Sequence, residues 1–89
     1  REFAFLIDET IPAEKLVQIA KSTNKDLIRD ILIFDVYKGE NIPDGKKSIA
    51  IKVIIQPNLD TLTDDDLEKI SLDLINVIYK KLSGSLRSQ

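Results

Sequence analysis

The order of apolar patterns along the chain predicts an α+β fold, a ferredoxin-like βαββαβ two-layer sandwich. Three stretches alternate apolar and polar residues with a period of two, two longer stretches repeat apolar residues at helical spacing, and a short strand-like stretch closes the chain. Two helices cannot cover both faces of a sheet in so short a chain. We therefore expect a four-stranded antiparallel sheet in the order 4-1-3-2, with both helices on one face and the other face open.

The first strand and helix are predicted from "FAFLID" and "TIPAEKLVQIAKS". In the strand, Phe3, Phe5 and Ile7 share one face, and Glu2, Ala4 and Leu6 share the other. Pro12 suits a first helical turn. The apolar stripe of this helix is Leu16, Ile19 and Ala20, and we expect the helix to end near residues 22–24.

The second and third strands are predicted from "LIRDILIFDVY" and "KSIAIKVIIQP", joined by the Gly- and Pro-containing loop "KGENIPDG". Residues 31–34 form a continuous apolar run in which a bulge is possible. Beyond it, alternation predicts Phe34 and Val36 on the covered face, with Asp35 and Tyr37 on the open face. The third strand buries Ile49, Ile51, Val53 and Ile55, and Pro57 and Asn58 are expected to end it.

The second helix is predicted from "TDDDLEKISLDLINVIYKKLSG". Thr63 is a good N-cap, and the aspartates at 64–66 lie at the positive end of the helix dipole. Gly84 is the expected stop signal. In the last strand, "SLRS", Leu86 is predicted to point inward and Arg87 outward.

The amino-acid composition excludes several classes of function. The 89 residues are 43% hydrophobic and 31% charged, with a formal charge of −2, no cysteine and no histidine. One domain over residues 1–89 is expected, cut from a longer chain because the sequence does not begin with Met. Disulfides, thiolate chemistry, imidazole bases and the usual zinc ligands are excluded. No apolar run reaches the roughly 18 residues of a membrane span, and the lack of Cys fits a cytoplasmic protein.

Asp35 and Tyr37 are the sharpest functional candidates. A carboxylate accepts two parallel hydrogen bonds, which matches the two neighbouring donors on the Watson–Crick edge of guanine. A tyrosine ring offers a base a stacking surface worth about 1–3 kcal/mol. The alternative is a solvated strand face with a half-packed tyrosine.

Other residues on the predicted open face, or flanking it at the hairpin, also have two interpretations. Lys46, Lys47 and Lys52 contact phosphates or are solvated, and Ser48 hydrogen-bonds a base edge or closes a hairpin. Arg87 stacks on a base or is an ordinary terminal charge, and Ala4 lets a base approach the sheet or is filler. The acidic run at 64–66 lacks the convergent spacing of a cation site and is interpreted as a helix cap. With no phosphate loop and no nucleophile–base pair, catalysis by this chain is not expected.

The strings "REFAFLID", "FDVYKGENIPDGKKSIAIKVIIQP", "TLTDDDLEKIS" and "GSLRS" resemble the ferredoxin-fold anticodon-binding domain that ends the beta chain of bacterial phenylalanyl-tRNA synthetase. The resemblance covers nearly the whole chain. Two departures are Glu2, where the family more often has Asp, and Asp60, near which a basic residue is common. Asp60 would weaken a phosphate contact there.

The resemblance implies that the chain binds the anticodon stem-loop of phenylalanine tRNA on its open face. Asp35, Tyr37 and Ser48 would contact the first anticodon base, a guanine, while Ala4 and Arg87 would lie beside another base. The parent enzyme would be a heterotetramer of two alpha and two beta chains that uses ATP and magnesium, with its catalytic site on the alpha chain. No cofactor is implied for this domain, and neither DNA nor a membrane is expected as a partner. A related domain ends the single-chain organellar enzyme.

A second hypothesis comes from the fold alone. Ferredoxin-like sandwiches also serve as small-molecule sensors and protein-pairing modules. That hypothesis predicts contacts at sheet edges or helix faces and gives Asp35, Tyr37 and Arg87 no joint role.

Overall fold

A computed structural model describes residues 1–55 and 62–87 and has the predicted element order. The elements are β1 (Glu2–Asp8), α1 (Ala13–Thr23), β2 (Ile28–Tyr37), β3 (Lys46–Ile55), α2 (Asp64–Leu82) and β4 (Ser85–Leu86). The predictions for Pro57, Asn58 and Asp60 fall outside the described residues.

The sheet confirms the predicted topology. Its strand order is β2-β3-β1-β4, which is the order 4-1-3-2 viewed from the opposite edge, and all neighbouring pairs are antiparallel. The two central strands, β3 and β1, run side by side from the pair Glu2–Lys52 to the pair Asp8–Lys46. Strand β4 has only two residues, and its pairing with β1 is extended by a 2.7 Å hydrogen bond from the Arg87 amide to the Ala4 carbonyl.

One buried cluster joins both helices to one face of the sheet. The odd-numbered residues of the two central strands supply Phe5, Ile7, Ile49, Ile51 and Val53. The helices supply Leu16, Ile19 and Ala20 from α1, and Ile70, Leu74 and Ile78 from α2. Because strand residues alternate between faces, the even-numbered residues lie on the face without helices. This second face is the open face, which neither helix covers and which is therefore available to a ligand.

Helix α2 is capped at both ends by different means. Thr63 and Asp66 form a reciprocal capping box at its start, as the N-cap prediction required. At the other end the left-handed residue is Ser83, with φ of 53°, rather than the predicted Gly84. A glycine is required at position 84 for a different reason. It is buried, and an added Cβ would lie 2.8 Å from a methyl group of Ile78 and 3.0 Å from one of Ile7. Its role is close packing and not backbone conformation.

Two register shifts interrupt β2, one between Ile28 and Asp30 and one between Ile33 and Asp35. The second confirms the bulge that the apolar run made possible. It turns Phe34 away from the predicted face, whereas Val36 keeps the helix side through its pairing with Ile49. Phe34 and Val36 were predicted to be covered but are 56% and 52% exposed. Leu86, predicted to point inward, is also exposed, because β4 is an edge strand of two residues.

Candidate nucleic-acid interface

Three strand residues, together with Arg87 directly after β4, form a row across the open face. Asp35 pairs with Ala50, Ala50 pairs with Ala4, and the Ala4 carbonyl accepts from the Arg87 amide. With strands about 4.8 Å apart, the row places Asp35 and Arg87 about 14 Å from each other across three strand spacings. The backbones of Asp35 and Arg87 therefore flank two alanines.

The alanines form the floor of a shallow trough of about 540 Å³. Its lining residues are Glu2, Phe3, Ala4, Phe34, Asp35, Ser48, Ala50, Leu86 and Arg87. Small side chains on the two central strands keep the floor low, so a flat group can approach the backbone. Ala4, for which the sequence left open a base-approach role, pairs with Ala50 on this floor.

Arg87 links the two edges of the open face. Its Nη1 donates to Oγ of Ser48 at 3.3 Å, and its guanidinium carbon lies 5.6 Å from the centre of the Tyr37 ring. The second distance is within the range of a cation–π interaction. Ser48 is only 3% exposed. A ligand reaches its hydroxyl oxygen only when Arg87 gives up this contact or shares it.

Tyr37 is held beside the trough by the loop that follows β2. It pairs with Ser48 and is 37% exposed, so part of its ring is open to solvent. Gly39 has φ of 149°, and a Cβ at that position would lie 3.2 Å from Oη of Tyr37. Any side chain at position 39 would be strained and would press on the tyrosine.

Strand alternation places the three candidate lysines on two different faces of the sheet. Lys46 and Lys52 share the face of Ser48, whereas Lys47 pairs with Ile7 on the helix side. Lys46 pairs with Asp8 at the end of β1. The pKa of Asp8 is lowered chiefly by hydrogen bonds from the Thr10 amide and hydroxyl, and further by the charges of Lys46 and Lys47.

Comparison with known proteins assigns the chain to a family. The family model described as "Ferredoxin-fold anticodon binding domain" matches residues 1–87. The chain belongs to this family. It is therefore an anticodon-binding module and not itself a catalytic unit.

Curated relatives agree with the family match. The chain is 46% identical over 88 residues to the phenylalanine–tRNA ligase beta subunit of Bradyrhizobium diazoefficiens, covering 99% of the chain and 11% of that protein. The corresponding proteins of Rhodospirillum rubrum and Rickettsia bellii are 38% and 41% identical, over 99% and 98% of the chain. The match covers 11% and 10% of those two proteins. The chain thus spans about a tenth of the length of these relatives.

Two residues of this anticodon-binding domain were missed or misplaced by sequence reasoning. Gly39 lies in the predicted loop, but the sequence analysis gives it no contact with Tyr37. The spacing Tyr-x-Gly at the start of a loop is the signal that indicates a ring packed over a glycine. Phe34 was assigned to the core face and instead lines the trough. The continuous apolar run before it gave no signal for which face it takes.

The acidic run of the domain is confirmed as a helix cap, since Asp66 completes the capping box. Across residues 1–55 and 62–87, no group of acidic residues is arranged to hold a metal ion. In the same ranges, neither helix is long and apolar enough to cross a membrane.

Proposed function

We propose that the chain binds the anticodon stem-loop of phenylalanine tRNA on its open face, as a part of the beta chain of phenylalanyl-tRNA synthetase. Membership of the anticodon-binding family supports the RNA ligand, and the names of the relatives support the synthetase. The observation that carries the proposal is the alanine-floored trough lined by Asp35 and Arg87, with the Tyr37 ring next to the Arg87 guanidinium.

Each side chain has a distinct role in this proposal. Asp35 accepts two hydrogen bonds from the Watson–Crick edge of a guanine at the first anticodon position, and Tyr37 stacks on that base. Ser48 hydrogen-bonds the same base once Arg87 moves. Ala4 and Arg87 lie beside another anticodon base, where a guanidinium plane can stack.

The lysines hold the RNA backbone. Lys46 and Lys52 are on the same face as Ser48 and Ala50, so they suit phosphates that border the bound loop. Lys47 is on the other side of its strand and would reach a phosphate only around the hairpin end.

The activity of the longer protein follows from the same assignment. In this proposal the parent beta chain pairs with an alpha chain in a heterotetramer, which acts in the cytoplasm. The alpha chain carries out aminoacylation with ATP and magnesium. The present domain supplies tRNA binding and needs no cofactor of its own.

The clustering of side chains argues against a sensor or pairing module. That alternative gives no joint role to an arginine and a carboxylate that line one trough, or to the tyrosine ring that contacts this arginine. An arginine and a tyrosine side by side on the open face suit RNA binding, because aromatic rings and guanidinium planes both stack on bases.

Titration with two RNA hairpins tests the proposal. The anticodon stem-loop of phenylalanine tRNA is compared with a hairpin of the same stem whose three anticodon bases are changed. We expect tighter binding of the first, because only the bases differ. Equal affinity for both hairpins, or no binding of either, would contradict the proposal.

A further inference from the structure

We propose that Phe34 is a second base-stacking residue of the open face, which takes the base adjacent to the one on Tyr37. The inference rests on the proposed function and deepens it, since it assigns a residue to which the sequence gave only a core role. Three observations carry it: the register of β2, the exposure of the ring, and its place in the lining of the trough.

The register shift in β2 changes the direction of Phe34. Ile33 pairs with buried Ile51 on the helix side, but Asp35 pairs with Ala50 on the open face. One extra residue therefore stands between the two faces, and it is Phe34. At such a bulge two residues oppose one on the neighbouring strand, so Phe34 and Asp35 both oppose Ala50.

The ring of Phe34 is available to a ligand. The residue is 56% exposed and lines the trough together with Asp35, Ser48 and Arg87. An apolar ring beside charged and polar groups is a poor arrangement for water but a good one for a nucleobase, whose faces stack and whose edges form hydrogen bonds.

The spacing of the two rings suits neighbouring bases. Phe34 and Tyr37 are three residues apart on one strand, which is about 10 Å in a regular strand and less across a bulge. Sheets that bind single-stranded RNA stack two or three bases on aromatic residues of one face. Asp35 lies between the rings and contacts the edge of a base held there.

A set of point variants of the 89-residue chain tests this inference against the anticodon stem-loop. Phe34→Ala and Phe34→Leu remove the ring, whereas Phe34→Tyr keeps it. Val36→Ala is the matched control, because Val36 is 52% exposed on the same strand but pairs with Ile49 on the helix side. We expect losses of about 5- to 150-fold for Phe34→Ala and somewhat smaller losses for Phe34→Leu. Phe34→Tyr and Val36→Ala should change affinity less than twofold, and all four variants should melt close to the wild type.

A fluorescent base locates the contact. 2-Aminopurine is placed in turn at each anticodon position, and its quenching on binding is measured for Phe34→Ala and Tyr37→Ala. We expect each variant to relieve quenching at a different, adjacent position. If Tyr37→Ala weakens binding but Phe34→Ala does not, or if Val36→Ala weakens it equally, Phe34 is not a stacking residue and the proposed function stands. If the wild type does not bind the stem-loop, both proposals fail.

Discussion

At the scale of single residues, Arg87 and Tyr37 already contact each other before RNA is bound. Their cation–π contact at an exposed site is worth about 0.5–1 kcal/mol. Stacking of a base on the ring is worth about 1–3 kcal/mol. In the proposed complex this exchange would favour the base, and it would free Arg87 to stack elsewhere or to uncover Ser48.

Removal of the Tyr37 ring should weaken RNA binding without unfolding the domain. We expect Tyr37→Ala to cost about 1–3 kcal/mol in binding to the anticodon stem-loop, and Tyr37→Phe much less, because the ring does the stacking. Tyr79→Ala is the control, since the only other tyrosine is 65% exposed on helix α2. Equilibrium titration of the three variants gives the answer. A loss for Tyr79→Ala as large as that for Tyr37→Ala would contradict a specific stacking role.

At the scale of secondary-structure elements, helices and strands could be predicted because their patterns are local. The N-cap at Thr63, the apolar stripe of α1 and the alternation from Ile49 to Val53 in β3 each depend on neighbours along the chain, and each is confirmed. The bulge was foreseen only as a possibility. Its register depends on which β3 residues face β2, so the direction of Phe34 could not be obtained from the strand's own sequence.

The contacts of Arg87 also could not be predicted from local sequence patterns. The predicted open face correctly included Ser48, Tyr37 and Arg87, since alternation decides the face. That Arg87 donates to a serine 39 residues earlier depends on the short pairing of β4 with β1 at the sheet edge. Long-range pairing of a two-residue strand leaves almost no signal in the sequence.

The end of helix α2 offers a test at the same scale. Gly84→Ala should lower the free energy of unfolding by about 1–3 kcal/mol, because the added methyl group overpacks Ile7 and Ile78. Ser83→Gly should leave it unchanged or raise it by up to about 1 kcal/mol, because Ser83 is the left-handed residue. Urea unfolding of both variants is the measurement. If Ser83→Gly destabilises and Gly84→Ala does not, the two roles have been assigned to the wrong residues.

At the scale of the whole molecule, acid should destabilise the fold. Backbone amides of Thr10, Ile31 and Thr63 donate to Asp8, Asp30 and Asp66, and these bonds are the main cause of the lowered pKa of each carboxyl. A lowered folded-state pKa gives stability that is present above the unfolded pKa and is lost as pH falls through the folded value. We expect the melting temperature to decline below about pH 4. The decline should be smaller in Asp66→Asn, and a melting temperature constant down to pH 2.5 would contradict this account.

Electrostatics of the whole domain should appear in the salt dependence of RNA binding. With a net charge of −2, attraction to RNA must come from a local set of cations. The slope of log affinity against log salt is about −0.7 for each phosphate contacted on a single strand. Lys46→Ala should flatten the slope and weaken binding to all hairpins alike.

Lys47→Ala is the matched control, since the neighbouring lysine lies on the helix side. It should change the slope less than Lys46→Ala does. An affinity that does not vary with salt would mean that both lysines are only solvated.

The most direct test of anticodon recognition is the variant Asp35→Asn with two hairpins that differ only in the first anticodon base. Asparagine keeps the size of the side chain but replaces one acceptor oxygen with a donor, which then faces the donors of guanine. We predict that the variant weakens binding to the guanine-first hairpin more than to the adenine-first hairpin, with a melting temperature close to that of the wild type. An equal loss for both hairpins, or a loss that follows from unfolding, would contradict the account and make Asp35 a structural residue.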